Sequence, residues 1–287
     1  MNNKPIVIGL GEFLWDLLPT GKKAGGAPAN FAYHASQNGA EGWAVSAVGD
    51  DALGRELTDA AGRHGINMEV SVLHDYPTGT VKVELKDGQP EYTICEDVAW
   101  DFIPVTEKAL SLAGKCSAIS FGTLAQRSPV SRLTTRTLIK AAPADALIVY
   151  DINLRQHFYN KEIITASMEL SDILKINDEE IKVIAPMFGL QGLDYGAACR
   201  KLISAFGLKM VVLTGGAEFS SVYTDDSEST IPTPRVEVVD TVGAGDSFSG
   251  AFVASLLSGL SVPEAHKAAV DTAAYVCTQA GAWTPPR

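Results

Sequence analysis

Residues 6–10, 118–121, 146–150, 173–176 and 210–213 are short apolar runs, and from Ser117 onward segments of helical length separate them. A strand covered on both faces reads as an unbroken apolar stretch, because neither set of alternate side chains meets water. Strands of this kind alternating with helices predict an α/β fold with a doubly wound, mainly parallel sheet. Sheets of that design bind ligands beyond the carboxyl ends of their strands. Polar residues gather at those ends in this chain. Glu12-Phe13-Leu14-Trp15-Asp16 follows the first run, Asp151-Ile152-Asn153-Leu154-Arg155 the third, Asn177-Asp178-Glu179-Glu180 the fourth and Thr214-Gly215-Gly216 the last.

Residues 78–95 break the pattern. Val81, Val83 and Leu85 alternate with Lys82, Glu84 and Lys86, Asp87-Gly88 signals a tight turn, and Tyr92 and Ile94 alternate on the return. Period two across a turn predicts a β-hairpin. It belongs either to the edge of the main sheet or to a small antiparallel sheet that projects from the core and needs cover for its apolar row. With 287 residues the chain has room for a large core and such an addition. The expected division puts residues 1–11, 35–75 and 104–287 in the α/β core and residues 12–34 and 76–103 in a discontinuous β lid.

The stretch Asp240-Thr241-Val242-Gly243-Ala244-Gly245-Asp246-Ser247-Phe248 concentrates the chemistry. Val236, Val238 and Val239 read as the end of a strand, while Phe248, Ala251, Phe252 and Ser255 recur at helical spacing, so the glycines are expected at a strand-to-helix junction. Gly243 and Gly245 let the backbone approach a ligand, and the helix start offers unpaired N–H groups and the positive end of a dipole. Asp246 in that turn is expected to stay ionised and to accept a proton from a hydroxyl, while the N–H groups hold negative charge on a transferred phosphoryl group. Ordinary capping by Asp246 is the competing explanation of the local pattern. Neither G-x-x-x-x-G-K-[ST] nor a full G-x-G-x-x-G occurs: the third position after Gly243 and Gly245 is Phe248, and after Gly9 and Gly11 it is Leu14.

Gly25-Gly26-Ala27-Pro28-Ala29-Asn30 opens a second helix. Pro28 fits its first helical position and Gly39 the left-handed residue after its last turn, which places Asn30 in the first turn. Asp16 either accepts hydrogen bonds from hydroxyls or is a solvated loop acid. Arg155 either forks to a phosphate or hydroxyl oxygen or makes a salt bridge. Asn177 can cap a helix whose dipole Asp178, Glu179 and Glu180 complement.

The string from Asp240 to Asp246, followed by Ser247-Phe248, resembles the C-terminal signature of the PfkB (ribokinase-like) carbohydrate kinases, and the block from Gly25 to Asn30 resembles their N-terminal signature. Trp43 to Val48 and Gly49-Asp50-Asp51-Ala52-Leu53-Gly54 continue the likeness, which runs in order through nearly the whole chain. The resemblance implies a ribokinase-like fold and ATP-dependent phosphorylation of a sugar hydroxyl. It implies Asp246 as base, the backbone of Gly243, Ala244 and Gly245 as anion hole, and Asp16, Gly26 and Asn30 as sugar contacts. Arg155 is implied at sugar and phosphate with Asp151 and Asn153 behind it, Asn177, Thr214 and Gly216 on the nucleotide side, and Glu180 at Mg²⁺ through water. Carbonyls of Asp240 and Val242, with those of residues 276–281, are implied to hold a monovalent cation such as K⁺. Thr80-Val81-Lys82-Val83, Gly88-Gln89-Pro90-Glu91-Tyr92 and Trp100-Asp101-Phe102-Ile103 look more like bacterial fructokinases than ribokinases or adenosine kinases. Fructose is therefore the expected acceptor; ribose, 2-keto-3-deoxygluconate and nucleosides are the rivals within the class. A catalytically silent sugar-binding regulator and an NAD-dependent Rossmann enzyme are the rivals outside it. Lids of this family often pair between subunits, which implies a homodimer; the apolar row folding onto its own core is the alternative.

Composition narrows the remaining choices. A net charge of −11 and a pI near 4.9 disfavour nucleic acid and anionic lipid as partners. Cys95, Cys116, Cys199 and Cys277 are scattered without metal-ligand spacing, and the five histidines form no cluster. Met1-Asn2-Asn3-Lys4-Pro5 leads into an apolar strand without a signal-peptide core, and no apolar run is long enough for a bilayer. A soluble cytoplasmic protein is expected.

Overall fold

The computed structural model describes residues 4–19, 21–86 and 89–285, and side chains outside residues 83–91. The chain opens with β1 (Ile6–Leu10), β2 (Leu14–Leu18), β3 (Gly21–Gly25), α1 (Ala27–Gln37), β4 (Glu41–Gly49), α2 (Ala52–Arg63) and β5 (Asn67–Leu73). A hairpin of β6 (Gly79–Lys86) and β7 (Gln89–Ile94) follows; its Asp87-Gly88 turn lies outside the described residues. Helices and strands then alternate as α3 (Glu107–Ala113), β8 (Ala118–Gly122), α4 (Pro129–Ala141), β9 (Leu147–Asp151), α5 (Lys161–Glu169), β10 (Ile173–Asn177), α6 (Asp178–Phe188), α7 (Tyr195–Phe206) and β11 (Met210–Gly215). An antiparallel pair, β12 (Phe219–Tyr223) and β13 (Glu228–Pro232), precedes α8 (Ala244–Leu257) and α9 (Val262–Cys277).

The main sheet runs β13-β12-β11-β10-β9-β8-β1-β4-β5 and is parallel from β11 to β5. The chain lays down β1, β4 and β5 in one direction, returns, and lays down β8 to β11 in the other. That reversal between β1 and β8 splays the connections apart and opens a crevice at the carboxyl ends of the strands. Alternate side chains feed separate cores on the two faces: Ile8, Ile119, Tyr150 and Leu174 pack on one, Val7, Ala118, Val149 and Ile173 on the other, against Phe31, Phe248 and Phe252 of α1 and α8.

The projecting sheet forms as expected, in the order β3-β2-β6-β7. Two antiparallel hairpins make it, and their inner strands β2 and β6 pair in parallel. Parallel pairing follows from the core: β1 and β5 point the same way, and the chain enters the small sheet from both. Gly79 at the root of β6 is required by packing, since a Cβ there would lie 2.2 Å from Trp100 Nε1. The fully buried Trp100 in turn stacks 4.1 Å beneath the Arg127 guanidinium, which donates through Nε to Asp101 Oδ1 at 2.8 Å.

One expected strand is absent. Residues 236–239 have no ladder partner; Val238 and Val239 are 60% and 61% exposed, so α8 is entered from a loop. Pro232 closes β13, and Pro234 lacks the N–H a continuing ladder needs.

Candidate active site

Two cavities meet at the N-terminus of α8. The first, of about 570 Å³, lies between the core crevice and the small sheet, and Asp16, Gly26, Asn30, Arg155, Gly243 and Asp246 line it. The second, of about 690 Å³, lies on the other side of the turn and takes Asn177, Thr214, Gly216, Ala244 and Gly245 into its wall, with Phe219, Val236, Val238 and Phe248 supplying an apolar floor. Gly245, Lys175, Asn177 and Thr241 belong to both. Residues separated by more than two hundred positions in sequence are thus brought around one turn of backbone.

Gly243 caps α8 in the left-handed region with φ 78°, a conformation that side chains resist. Its Cα faces the C-terminal segment, where a Cβ would come 2.7 Å from Ala282 Cβ. Asp246 follows in the first turn, and its Oδ2 accepts a 2.7 Å hydrogen bond from Asn30 Nδ2. Burial pushes Asp246 up to about 6, with the Asp151 charge adding to the rise and Asn30, Lys175 and Arg155 opposing it. The carboxylate expected to be held ionised by the helix start therefore titrates just below neutrality, near the optimum for a general base.

Lys175 went unnoticed within its apolar run. Strand parity places it on the α8 face of β10, and the parallel register sets it directly beside Asp151 of β9, Nζ to Oδ1 3.1 Å. Burial works to lower the lysine, but the charges of Asp151, Glu180 and Asp246 outweigh it and hold the ammonium above its ordinary value. A fixed positive charge consequently stands between the two cavities.

Asp16 is raised by burial, against the opposing charges of Arg155 and Lys23. Arg155 is exposed and forms no ion pair among the described residues. The loop that carries it is strained at Asn153 (φ 36°) and Gln156 (φ 48°), and Gln156 Nε2 donates to Tyr92 O of the lid at 2.6 Å. Asn177 caps α6 through its side chain, and Glu180 completes the capping box. Glu180 is buried and lines neither cavity; its Oε1 accepts from Leu154 N and its Oε2 from Asn177 N, both at 2.9 Å. Desolvation raises this carboxyl, with Lys175 opposing.

Asp240 also stands outside both cavities, whereas Val242 lines the first. The Asp240 carboxylate accepts from Lys23 Nζ at 2.7 Å, Gly281 N at 3.1 Å and Val242 N at 3.1 Å, tying the small sheet, the C-terminal segment and the turn before α8 together. No group of three His, Cys, Asp or Glu side chains suited to a metal occurs among the described residues. Lys175 and Glu12 are among the polar wall residues that sequence reasoning passed over. A lysine inside residues 173–176 was the available signal for the first.

The model of the pfkB family carbohydrate kinases matches residues 19–287. A fructokinase of Rhizobium leguminosarum bv. trifolii is 31% identical over 265 residues, covering 88% of this chain and 79% of that protein. The crystal structure of a sugar kinase from Pyrococcus horikoshii in complex with ATP superposes with a TM-score of 0.81 at 25% identity, over 98% of this chain and 95% of that one. A fructokinase from Vibrio cholerae O395, crystallised with fructose, ADP and potassium, shares the fold with a TM-score of 0.82 at 23% identity, over 99% and 96%.

Proposed function

The chain belongs to the pfkB family of carbohydrate kinases, and from that premise we propose that it transfers the γ-phosphoryl group of ATP to a hydroxyl of fructose. One observation carries the reading: the two cavities share a wall made by the turn before α8 and its first residues (Thr241 and Gly245) and the end of β10 (Lys175 and Asn177), with Asp246 on the first side of it. A phosphate chain in the second cavity meets a hydroxyl in the first across that shared wall. Fructose rests on the likeness to the Rhizobium fructokinase.

In this mechanism Asp16 and Asn30 hold the sugar hydroxyls and Arg155 closes on sugar and phosphate. Asp246 takes the proton of the attacking hydroxyl. The N–H groups of residues 243–246 and the Lys175 ammonium carry the charge that builds on the phosphoryl oxygens, a preorganised arrangement that water cannot match. Thr214 and Gly216 line the nucleotide cavity. When bound, Mg²⁺ would supply further charge neutralisation; Asn177 of the shared wall would receive one of its waters, and Glu180, whose two oxygens accept from Leu154 N and Asn177 N, would serve it by fixing Asn177 in place. The carbonyls of Asp240 and Val242 accept no hydrogen bond among the described residues and would suit a monovalent cation such as K⁺. Closure of the small sheet over the first cavity excludes water.

The reading includes a cytoplasmic homodimer joined at the lid. β7 is the outer strand of the small sheet and Tyr92 on it is 56% exposed, which supports a partner there. No helix among the described residues is long and apolar enough to cross a membrane. The test is ADP release measured with fructose, ribose, 2-keto-3-deoxygluconate and nucleosides, with sugar binding followed in parallel. Fructose should give the highest kcat/KM; a better rival sugar would reassign the acceptor, and binding without ADP release would favour a silent regulator.

A further inference from the structure

Glu12 has no task in the transfer just described, yet it occupies the centre of the crevice. It follows β1 where the sheet reverses direction, and only 4% of it is exposed. Its Oε2 has no hydrogen-bond partner among the described residues. A carboxyl buried this deeply is costly unless it carries a proton or meets water or ligand. The side chain lines the first cavity, and it also lines a small cavity behind it that Asp246, Asp151, Asn153 and Ser249 share. The small cavity offers about 10 Å³ to a water's centre. That is about the room one water molecule needs, and the lining supplies polar partners for it.

On the kinase reading above, we propose that Glu12 is the second half of the base: Asp246 and Glu12 exchange protons through the small cavity, and Glu12 receives the proton that Asp246 removes from the sugar hydroxyl. The hydroxyl O–H bond breaks as its oxygen bonds to the γ-phosphorus. The bond from that phosphorus to the bridging oxygen breaks, and its electron pair leaves with ADP. The proton passes to Asp246, across the water to Glu12, and to bulk water when the lid opens, which returns Asp246 to its carboxylate form.

The charges around the pair suit this exchange. Burial pushes Glu12 up to about 7; its own backbone N–H opposes the rise, Asp246 on α8 and Asp151 on β9 add to it, and Arg155 opposes it. Asp246 itself stands at about 6 under Asp151, Lys175 of β10 and Arg155. Asp16 of β2 faces the same cavity. Two carboxyls that feel one another titrate as a pair, in two macroscopic steps.

The experiment follows turnover at saturating fructose and ATP from about pH 5 to about pH 9. In the wild type the acid limb should track the upper step, near pH 7. In Glu12→Gln it should fall by about one unit, toward the value of Asp246, and the plateau should drop about tenfold or more. Glu12→Asp, which keeps a titrating carboxyl, should keep the limb near its wild-type position. A limb that stays put in Glu12→Gln, whatever the amplitude, assigns Glu12 a purely structural role and overturns the proposal while leaving the kinase reading intact. A second readout needs no turnover: the ¹³C resonance of the labelled Glu12 carboxyl is titrated in the wild type and in Asp246→Asn. Its midpoint should fall when the Asp246 charge is removed. An unchanged midpoint overturns the proposal even in a protein without kinase activity.

Discussion

Asp246 sits in a cavity wall where its charged form weakens the fold and where, on the proposed mechanism, its basicity serves transfer. Its folded value is raised from 3.8 to about 6, so between those values the folded chain binds more protons than the unfolded one, and stability is lost as pH rises through about 6. Asp246→Asn should therefore unfold at a higher temperature than the wild type near pH 8. The advantage, about 2–3 kcal/mol, should shrink below about pH 6 and vanish near pH 4, as thermal unfolding across that range would reveal. The same variant should lose about two to four orders of magnitude in turnover while ATP still binds. A variant that keeps most of its turnover removes Asp246 as the base. Lys175→Met should cost about 10²–10³ in turnover and about 3–5 kcal/mol in stability, because Asp151 is left buried and unpaired. Adding Asp151→Asn should restore the stability but not the turnover; recovery of both would make Lys175 a structural residue only. That Asp246, Asn30 and Asp16 would meet at one cavity was legible, because the first two sit in compact glycine-bearing motifs at helix starts and the third just beyond the first apolar run. Lys175 was not, because its meaning comes from a cross-strand register with Asp151 that no single run of residues contains. Glu12 was hidden for a similar reason: burial at a sheet reversal is a property of strand order.

The start of α8 separates two demands on glycine. Gly243 needs its φ of 78°, and a Cβ would also press on Ala282, so Gly243→Ala should destabilise by about 1–2 kcal/mol or more and loosen the C-terminal segment. Gly245 has no positive φ, and a Cβ there would meet only Lys175 Nζ, at 3.2 Å. The tip of a lysine can move, and alanine is the better helix former by up to about 1 kcal/mol. Gly245→Ala should hence unfold within about 1 kcal/mol of the wild type while turnover falls, because the ammonium and the phosphate path are displaced together. Equal loss of stability in the two variants, measured by chemical denaturation, would refute the distinction. At this scale the sequence was most readable where burial acts on both faces of a strand: β8 to β11 lie within about two residues of their apolar runs. It misled at residues 236–239, where alternating valines resemble a strand but Val236 and Val238 form a cavity wall. Period two records an apolar surface on one side, and a ligand cavity supplies that as well as a neighbouring sheet does.

Over the whole molecule the open issue is what covers the lid. Val81 and Ile94, members of the apolar row read from the sequence, are 8% and 7% exposed and join the chain's own core; the Val83 and Leu85 side chains lie outside the described residues. A partner is therefore not required by those two positions. What favours one is the rim of the lid: β7 ends the small sheet with one ladder side unpaired among the described residues, and Tyr92 on it is 56% exposed. A two-fold axis through that edge would cover both rims at once and stiffen the flap that Gln156 already holds through Tyr92 O. Sedimentation at low micromolar concentration should then find a dimer for the wild type and a monomer for Tyr92→Lys, with thermal unfolding used to check that the variant is folded. The lysine keeps the backbone acceptor for Gln156 but puts a charge at the dyad, where its symmetry mate would repel it. Tyr92 also lines the first cavity, so a higher KM for sugar is expected from the substitution itself, and sedimentation alone reports the interface. A monomeric wild type, or a folded Tyr92→Lys that still sediments as a dimer, would exclude this interface.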